Sequence, residues 1–234
     1  MKGLICTDVA SAAHLFYTVL LASLLSLLST CQFSIMEKLK YRYIDWNTIH
    51  SLCLTTYRQI REANFQPDIV VGIARGGWVP ARILADFFVT TSTANVKVEF
   101  YHGIYETKDQ PYIAQPVSGE TRWKRVLLVD DISDTGNSLK ATIDHLQRRK
   151  VADLRTVCLH IKPWTKQLPD YYAESTDAWI IYPWEIKEFI FSFVQQLAKE
   201  KKSIKEIESI LLEIGLPSTP TKGFLTEWQH QKTE

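Results

Sequence analysis

Cysteine is scarce in this chain of 234 residues, and the few present form no pattern. Cys6, Cys31, Cys53 and Cys158 share no short spacing. That excludes a metal knuckle or a disulfide framework, and the folded part reads as a reduced, intracellular protein. The histidines are scattered as well, and each, including His102 and His160, reads as a surface or packing residue. Neither sign of charge dominates: 27 Lys and Arg stand against 26 Asp and Glu. A broad nucleic-acid surface needs a basic face, and none is visible. No internal repeat appears.

Charge is also missing from residues 9–31, which are long and apolar enough to cross a bilayer or to form the core of a signal peptide. Lys2 is a weak positive flank, and Leu28-Ser29-Thr30-Cys31 carries a bulky threonine where a lipoprotein cleavage site wants a small residue. The preferred reading starts translation at Met36, where the composition turns polar. Residues 1–35 are then an extension outside the fold, 36–199 the main domain, and 200–234 a C-terminal helix with a mobile tail. The expected location is cytoplasmic, with membrane association as the alternative if residues 9–31 are an anchor.

What is present centres on residues 125–138. Val126-Leu127-Leu128-Val129 reads as a strand buried on both faces, and Leu139 to Arg149 as a helix. Between them, Thr135-Gly136-Asn137-Ser138 can turn successive backbone N–H groups toward one phosphate, with Gly136 free to take positive φ. Asp130 and Asp131 suit sugar hydroxyls or a metal carried in by a phosphorylated ligand. Asp134 is placed to exchange a proton with a reacting group. The plain alternative makes the acids solvated and Thr135 or Ser138 a helix cap.

A second strand, Ile69 to Ala74, feeds Arg75-Gly76-Gly77-Trp78-Val79-Pro80 and a helix from Ala81 to Phe88. Two glycines admit a close ligand, and Arg75 offers a fork for phosphate oxygens. Earlier, Trp46, Ile49, Leu52, Cys53, Tyr57 and Ile60 fall on one helix face behind Asp45 as cap. Val96 to Tyr101 alternates like a strand, whereas His102 to Lys124 has no usable period and reads as a long loop. Leu154 to Ile161 is a further strand, and 184–199 an apolar-faced helix. Ser203-Ile204-Lys205-Glu206 has the form of a capping box before a last amphipathic helix, stopped at Gly215 and Pro217. Strands and helices alternate, so the expected architecture is α/β, a mainly parallel sheet flanked by helices with ligand loops at the carboxyl ends of its strands.

The string Val129-Asp130-Asp131-Ile132-Ser133-Asp134-Thr135-Gly136-Asn137-Ser138 resembles the phosphoribosyl-diphosphate signature of the type I phosphoribosyltransferases, and Ala74 to Pro80 resembles their pyrophosphate loop. The resemblance implies Mg²⁺ with Asp131 as a ligand, Asp130 and Asp131 on the ribose, and residues 134–138 on the 5′-phosphate. It implies Arg75 and Gly76 on the pyrophosphate, beside a cis peptide, and Asp134 as the catalytic acid-base group. A flap is implied between His102 and Lys124, with Arg122 or Lys108 either reaching pyrophosphate or simply solvated. The segments around Lys162-Pro163-Trp164 and Asp177 to Glu185 resemble the base site of bacterial xanthine-guanine phosphoribosyltransferases. There Lys162 would donate to a 6-oxo oxygen, Trp179 would stack, and Ile180 and Glu185 would meet the base edge. Otherwise Trp179 and Ile180 are core residues and Lys162 a surface lysine. Glu185 departs from the family's usual aspartate, and Asn137 from its lysine or glycine. The function implied is transfer of a phosphoribosyl group to a 6-oxopurine by a homo-oligomeric enzyme. The alternatives are a regulator that senses the same sugar, or an enzyme for another base.

Overall fold

The computed structural model describes residues 40–101 and 110–231. The apolar stretch 9–31, the start at Met36, and His102 and Lys108 of the expected flap lie outside the described residues. Everything described from Arg42 onward belongs to one compact unit.

The elements follow in the order β1 (Tyr41–Tyr43), α1 (Trp46–Glu62), β2 (Ile69–Ala74), α2 (Trp78–Phe87), β3 (Thr93–Tyr101), β4 (Gln110–Gln115), β5 (Arg125–Ser133) and α3 (Asn137–Arg148). Then come β6 (Asp153–Ile161), β7 (Tyr171–Ser175), β8 (Trp179–Ile181), α4 (Ile186–Lys199), α5 (Ile204–Glu213) and α6 (Ser218–Gln231). The main sheet has the order β4-β3-β2-β5-β6-β7, and β1 pairs with β8 in a small second sheet. All neighbours in the main sheet are parallel except β3 and β4. This is the mainly parallel α/β sheet expected from the alternation of elements.

Parallel strands need both faces covered, and the apolar residues of β2 and β5 divide accordingly. Val70, Leu127 and Val129 pack with Ile49, Leu52 and Leu84 of α1 and α2 on one face. Val71, Ile73 and Leu128 pack with Leu139 and Leu146 of α3 on the other. From β2 the chain crosses through α2 to β3 on one side, and from β5 it crosses through α3 to β6 on the other. The connections therefore diverge between β2 and β5, which is where open α/β sheets leave a crevice at the carboxyl ends of their strands.

Two expectations are corrected. The stretch read as a long loop contains β4, an antiparallel edge strand in which Pro111 lies opposite Phe100. An edge position tolerates proline because one side of the strand needs no ladder donor. The tail after Ser218 is the helix α6, which buries Thr221, Leu225 and Trp228. Residues four and three apart make a stripe narrow enough to be missed in a segment of low apolar content. The caps are as expected: Asp45 accepts from Thr48 N–H at 2.7 Å, and Ser203 with Glu206 closes the capping box before α5.

Candidate active site

β5 does not stop at its apolar run but continues through both carboxylates to Ser133. Asp130 and Asp131 are each 8% exposed. Asp130 accepts from the Asp131 N–H at 3.0 Å, and Asp131 from the Ile132 N–H at 2.8 Å. Burial holds both carboxyls above the usual range, and the charge of Asp131 pushes Asp130 further. A buried acid pair of this kind is relieved by hydroxyl donors or by a cation.

The turn beyond it starts α3 with Gly136 at φ +83°, a left-handed conformation that favours glycine. A methyl group there would also stand 2.6 Å from the Gln167 backbone nitrogen. The N-cap residue, Gly136, brings no side chain to the helix start. Thr135 Oγ1 accepts weakly from the Asn137 N–H at 3.3 Å, so the capping alternative holds in part for Thr135. The remaining amides of a helix start are natural partners for an anion. A cavity of about 470 Å³ opens there, lined by Asp130, Asp131, Asp134 and residues 135–138, with Val98 and Phe100 across it.

The second turn follows β2, the strand beside β5. The Ala74–Arg75 peptide is cis, as the resemblance implied. Gly76 packs so closely on the Asp131 carboxylate that a methyl group would overlap it. Arg75 is exposed and paired with Glu188 of α4 at 2.7 Å. Arg75, Gly76, Asp131 and Glu185 line a further cavity of about 470 Å³, which meets the first one at Asp131 and Ile132. The two turns thus open toward one crevice with Asp131 between them. Arg122, at the far end of the expected flap, lies over Trp123 at 5.3 Å and lines neither cavity.

Of the residues expected at the base, Glu185 lines the second cavity, whereas Lys162, Trp179 and Ile180 line neither. Lys162, at the end of β6, is 5% exposed and so is no surface lysine. Its Nζ donates to the Ala178 carbonyl beside Trp179, and its backbone N–H donates to Ser133 O at 3.0 Å. Burial lowers its ammonium pKa, and the carboxylates of Asp134 and Asp177 oppose that. Trp179 is 54% exposed, which rules out the core reading for it, while Ile180 is buried at 5%. Glu185 accepts from the Tyr182 N–H at 3.1 Å. Burial raises its pKa to about 7, with Asp131 and Glu188 adding and Arg75 opposing.

Two residues that sequence reasoning left without a role stand here. Trp164 donates its indole N–H to Asp134 Oδ1 at 2.7 Å. Its place two residues after Lys162 was visible, but an indole can only be assigned a partner once the loop is folded. Tyr182 donates to Asp131 O at 3.0 Å and meets His160 Nδ1 at 2.8 Å. His160 is thus a packing residue, and burial lowers its pKa to about 4.

No group of three or more His, Cys, Asp or Glu side chains fit to hold a metal occurs among the described residues. The donors present are carboxylate oxygens of Asp130 and Asp131. That suits Mg²⁺, which is ordinarily held through one or two carboxylates plus the phosphates of a substrate.

The chain matches the model of the phosphoribosyl transferase domain over residues 45–195. It is 28% identical over 189 residues to xanthine phosphoribosyltransferase 1 of Saccharomyces cerevisiae, covering 62% of this chain and 90% of that one. It is likewise 28% identical over 188 residues to the hypoxanthine-guanine phosphoribosyltransferase of Schizosaccharomyces pombe, covering 62% and 89%. Among solved structures, a purine phosphoribosyltransferase from Pyrococcus horikoshii superposes with a TM-score of 0.56 at 33% identity, over 62% of this chain and 94% of that chain. With its two glycine-bearing turns on adjacent strands and this match across most of the fold, the chain belongs to the phosphoribosyltransferase domain family.

Proposed function

We propose that this protein transfers the 5-phosphoribosyl group of 5-phosphoribosyl 1-diphosphate to a 6-oxopurine, hypoxanthine, guanine or xanthine, releasing pyrophosphate and a purine nucleotide. The observation that carries this reading is the pair of turns on β2 and β5 facing one crevice, with a buried carboxylate pair between them. The names of the relatives support a purine acceptor.

In this reading residues 134–138 take the 5′-phosphate through the amides at the start of α3, while Asp130 and Asp131 hold the ribose hydroxyls. Arg75 and the Gly76 amide hold the pyrophosphate. Asp131 would hold Mg²⁺, which when bound would supply charge neutralisation on the leaving group. As the bond from the anomeric carbon to the pyrophosphate oxygen breaks, positive charge grows on the ribose. The protein contributes alignment and fixed charge more than covalent chemistry. The bond from that carbon to the purine imidazole nitrogen forms, and Asp134 takes the displaced proton. Lys162 retains donors beyond the one given to Ala178 and offers one to the 6-oxo oxygen, which disfavours the amino group of adenine. Trp179 stacks on the base, Ile180 presents its backbone to the edge, and Glu185 faces the 2-position.

The deciding assay gives purified protein Mg²⁺, phosphoribosyl diphosphate and a panel of hypoxanthine, guanine, xanthine, adenine and uracil, and reads pyrophosphate release. Turnover confined to the 6-oxopurines is expected. Turnover with adenine or uracil alone would overturn the acceptor, and tight sugar binding without turnover on any base would mark a sensor instead.

A further inference from the structure

The loop 162–167 grips the phosphate turn at every step. Lys162 N–H donates to Ser133 O at 3.0 Å and Lys166 N–H to Thr135 O at 3.1 Å. The Ser133 hydroxyl meets Thr165 Oγ1 at 2.9 Å and donates to Gln167 O at 3.1 Å. Gly136 lies against Gln167. Packing and backbone bonds therefore hold this loop in place without Trp164, whose ring is 54% exposed. Yet that indole is aimed: its N–H reaches Asp134 Oδ1 at 2.7 Å, and its face lies 5.4 Å from Lys162 Nζ.

We infer that Trp164 is a positioning residue for Asp134, fixing one carboxylate oxygen so that the other is presented to the imidazole nitrogen of the acceptor base. The inference rests on the proton-handling role proposed for Asp134. Asp134 is exposed on a turn, and a free carboxylate there would populate several rotamers, only some of which face the base. An indole N–H is donor-only, so it can hold the oxygen without competing for the proton. The ring also sits beside the Lys162 ammonium, an arrangement worth a modest attraction, so one side chain ties the base-reading lysine to the proton acceptor.

Trp164→Phe keeps the ring and removes the N–H. Turnover number is expected to fall roughly tenfold, the value of one hydrogen bond to a charged group. Phosphoribosyl-diphosphate affinity by calorimetry should stay unchanged. Placed in an Asp134→Asn background, the same substitution should cause no further loss. An equal loss in both backgrounds, or loss of sugar binding along with turnover, would make Trp164 merely structural and overturn the inference. A second measurement is independent of the reaction. In a ¹H–¹⁵N spectrum the indole signal missing from Trp164→Phe should shift in Asp134→Asn. An unmoved signal would overturn the inference even if the wild type were active. Absence of turnover in the wild type with a shifted signal would count against the proposed reaction while leaving the Trp164–Asp134 bond standing.

Discussion

Glu188 holds the Arg75 guanidinium at 2.7 Å, and both side chains are more than half exposed. In solvent such a pair contributes little, so the pyrophosphate that the proposed function places at Arg75 would have only a weak contact to displace. Glu188→Gln should lower KM for phosphoribosyl diphosphate about two- to fivefold, in line with an exposed ion pair. An unchanged or raised KM would show that Glu188 does not compete for Arg75. Asp134→Asn should cut turnover strongly while sugar binding persists, and a variant that lost binding but kept turnover would contradict its role. The placement of individual residues was legible in the sequence where a motif fixed the type and order of groups, as in Asp130 to Ser138 between the end of β5 and the start of α3. It was not legible where a role depends on a partner distant in sequence. Trp164 finds Asp134 thirty residues away, and Glu188 finds Arg75 across 113.

Elements were readable where the pattern was strong. β2, β5, β6 and α1 carry clear runs or stripes, whereas β4 and α6 depend on neighbours: one borrows β3 as its ladder, the other buries only a narrow stripe. Trp228→Ala should therefore lower stability by about 3 kcal/mol, as large-to-small core changes do. A melting temperature unaltered by that substitution would mean that α6 contributes nothing to the fold. Gly136→Ala tests the start of α3. Positive φ and the contact with Gln167 both oppose a side chain, so a loss of about 1–3 kcal/mol is expected together with a raised KM for phosphoribosyl diphosphate. A variant of normal stability and normal KM would show that the turn does not need its left-handed residue.

Across the whole molecule, buried titratable groups pull stability in opposite directions with pH. Glu185 is raised from 4.5 to about 7, so its contribution is fully present below about pH 4.5 and is lost as pH rises through 7. Asp130 and Asp131 act in the same sense. His160 is lowered from 6.5 to about 4, so the unfolded chain takes up a proton first and stability falls as pH drops from 6.5 toward 4. Glu185→Gln should match the wild type in thermal melts near pH 4.5 and exceed it by a few degrees at pH 8, at roughly 2–4 °C per kcal/mol. A constant gap at all pH values would show that Glu185 does not titrate in this range. Sites that retain such groups trade stability for function, and this is why a hydropathy pattern alone could place the sheet but not rank its acids. The spacing of the two ligand turns has a different origin. They spring from neighbouring parallel strands, which stand about 4.8 Å apart whatever side chains they bear. If these turns hold the sugar donor as proposed, its gauge is inherited from the backbone, and mutation cannot easily retune it. On the proposed reading, diversification is left to the acceptor side, where Lys162, Trp179 and Glu185 would be exchanged without moving a strand, so a lineage built on this scaffold could change its nucleobase while keeping activated ribose as donor.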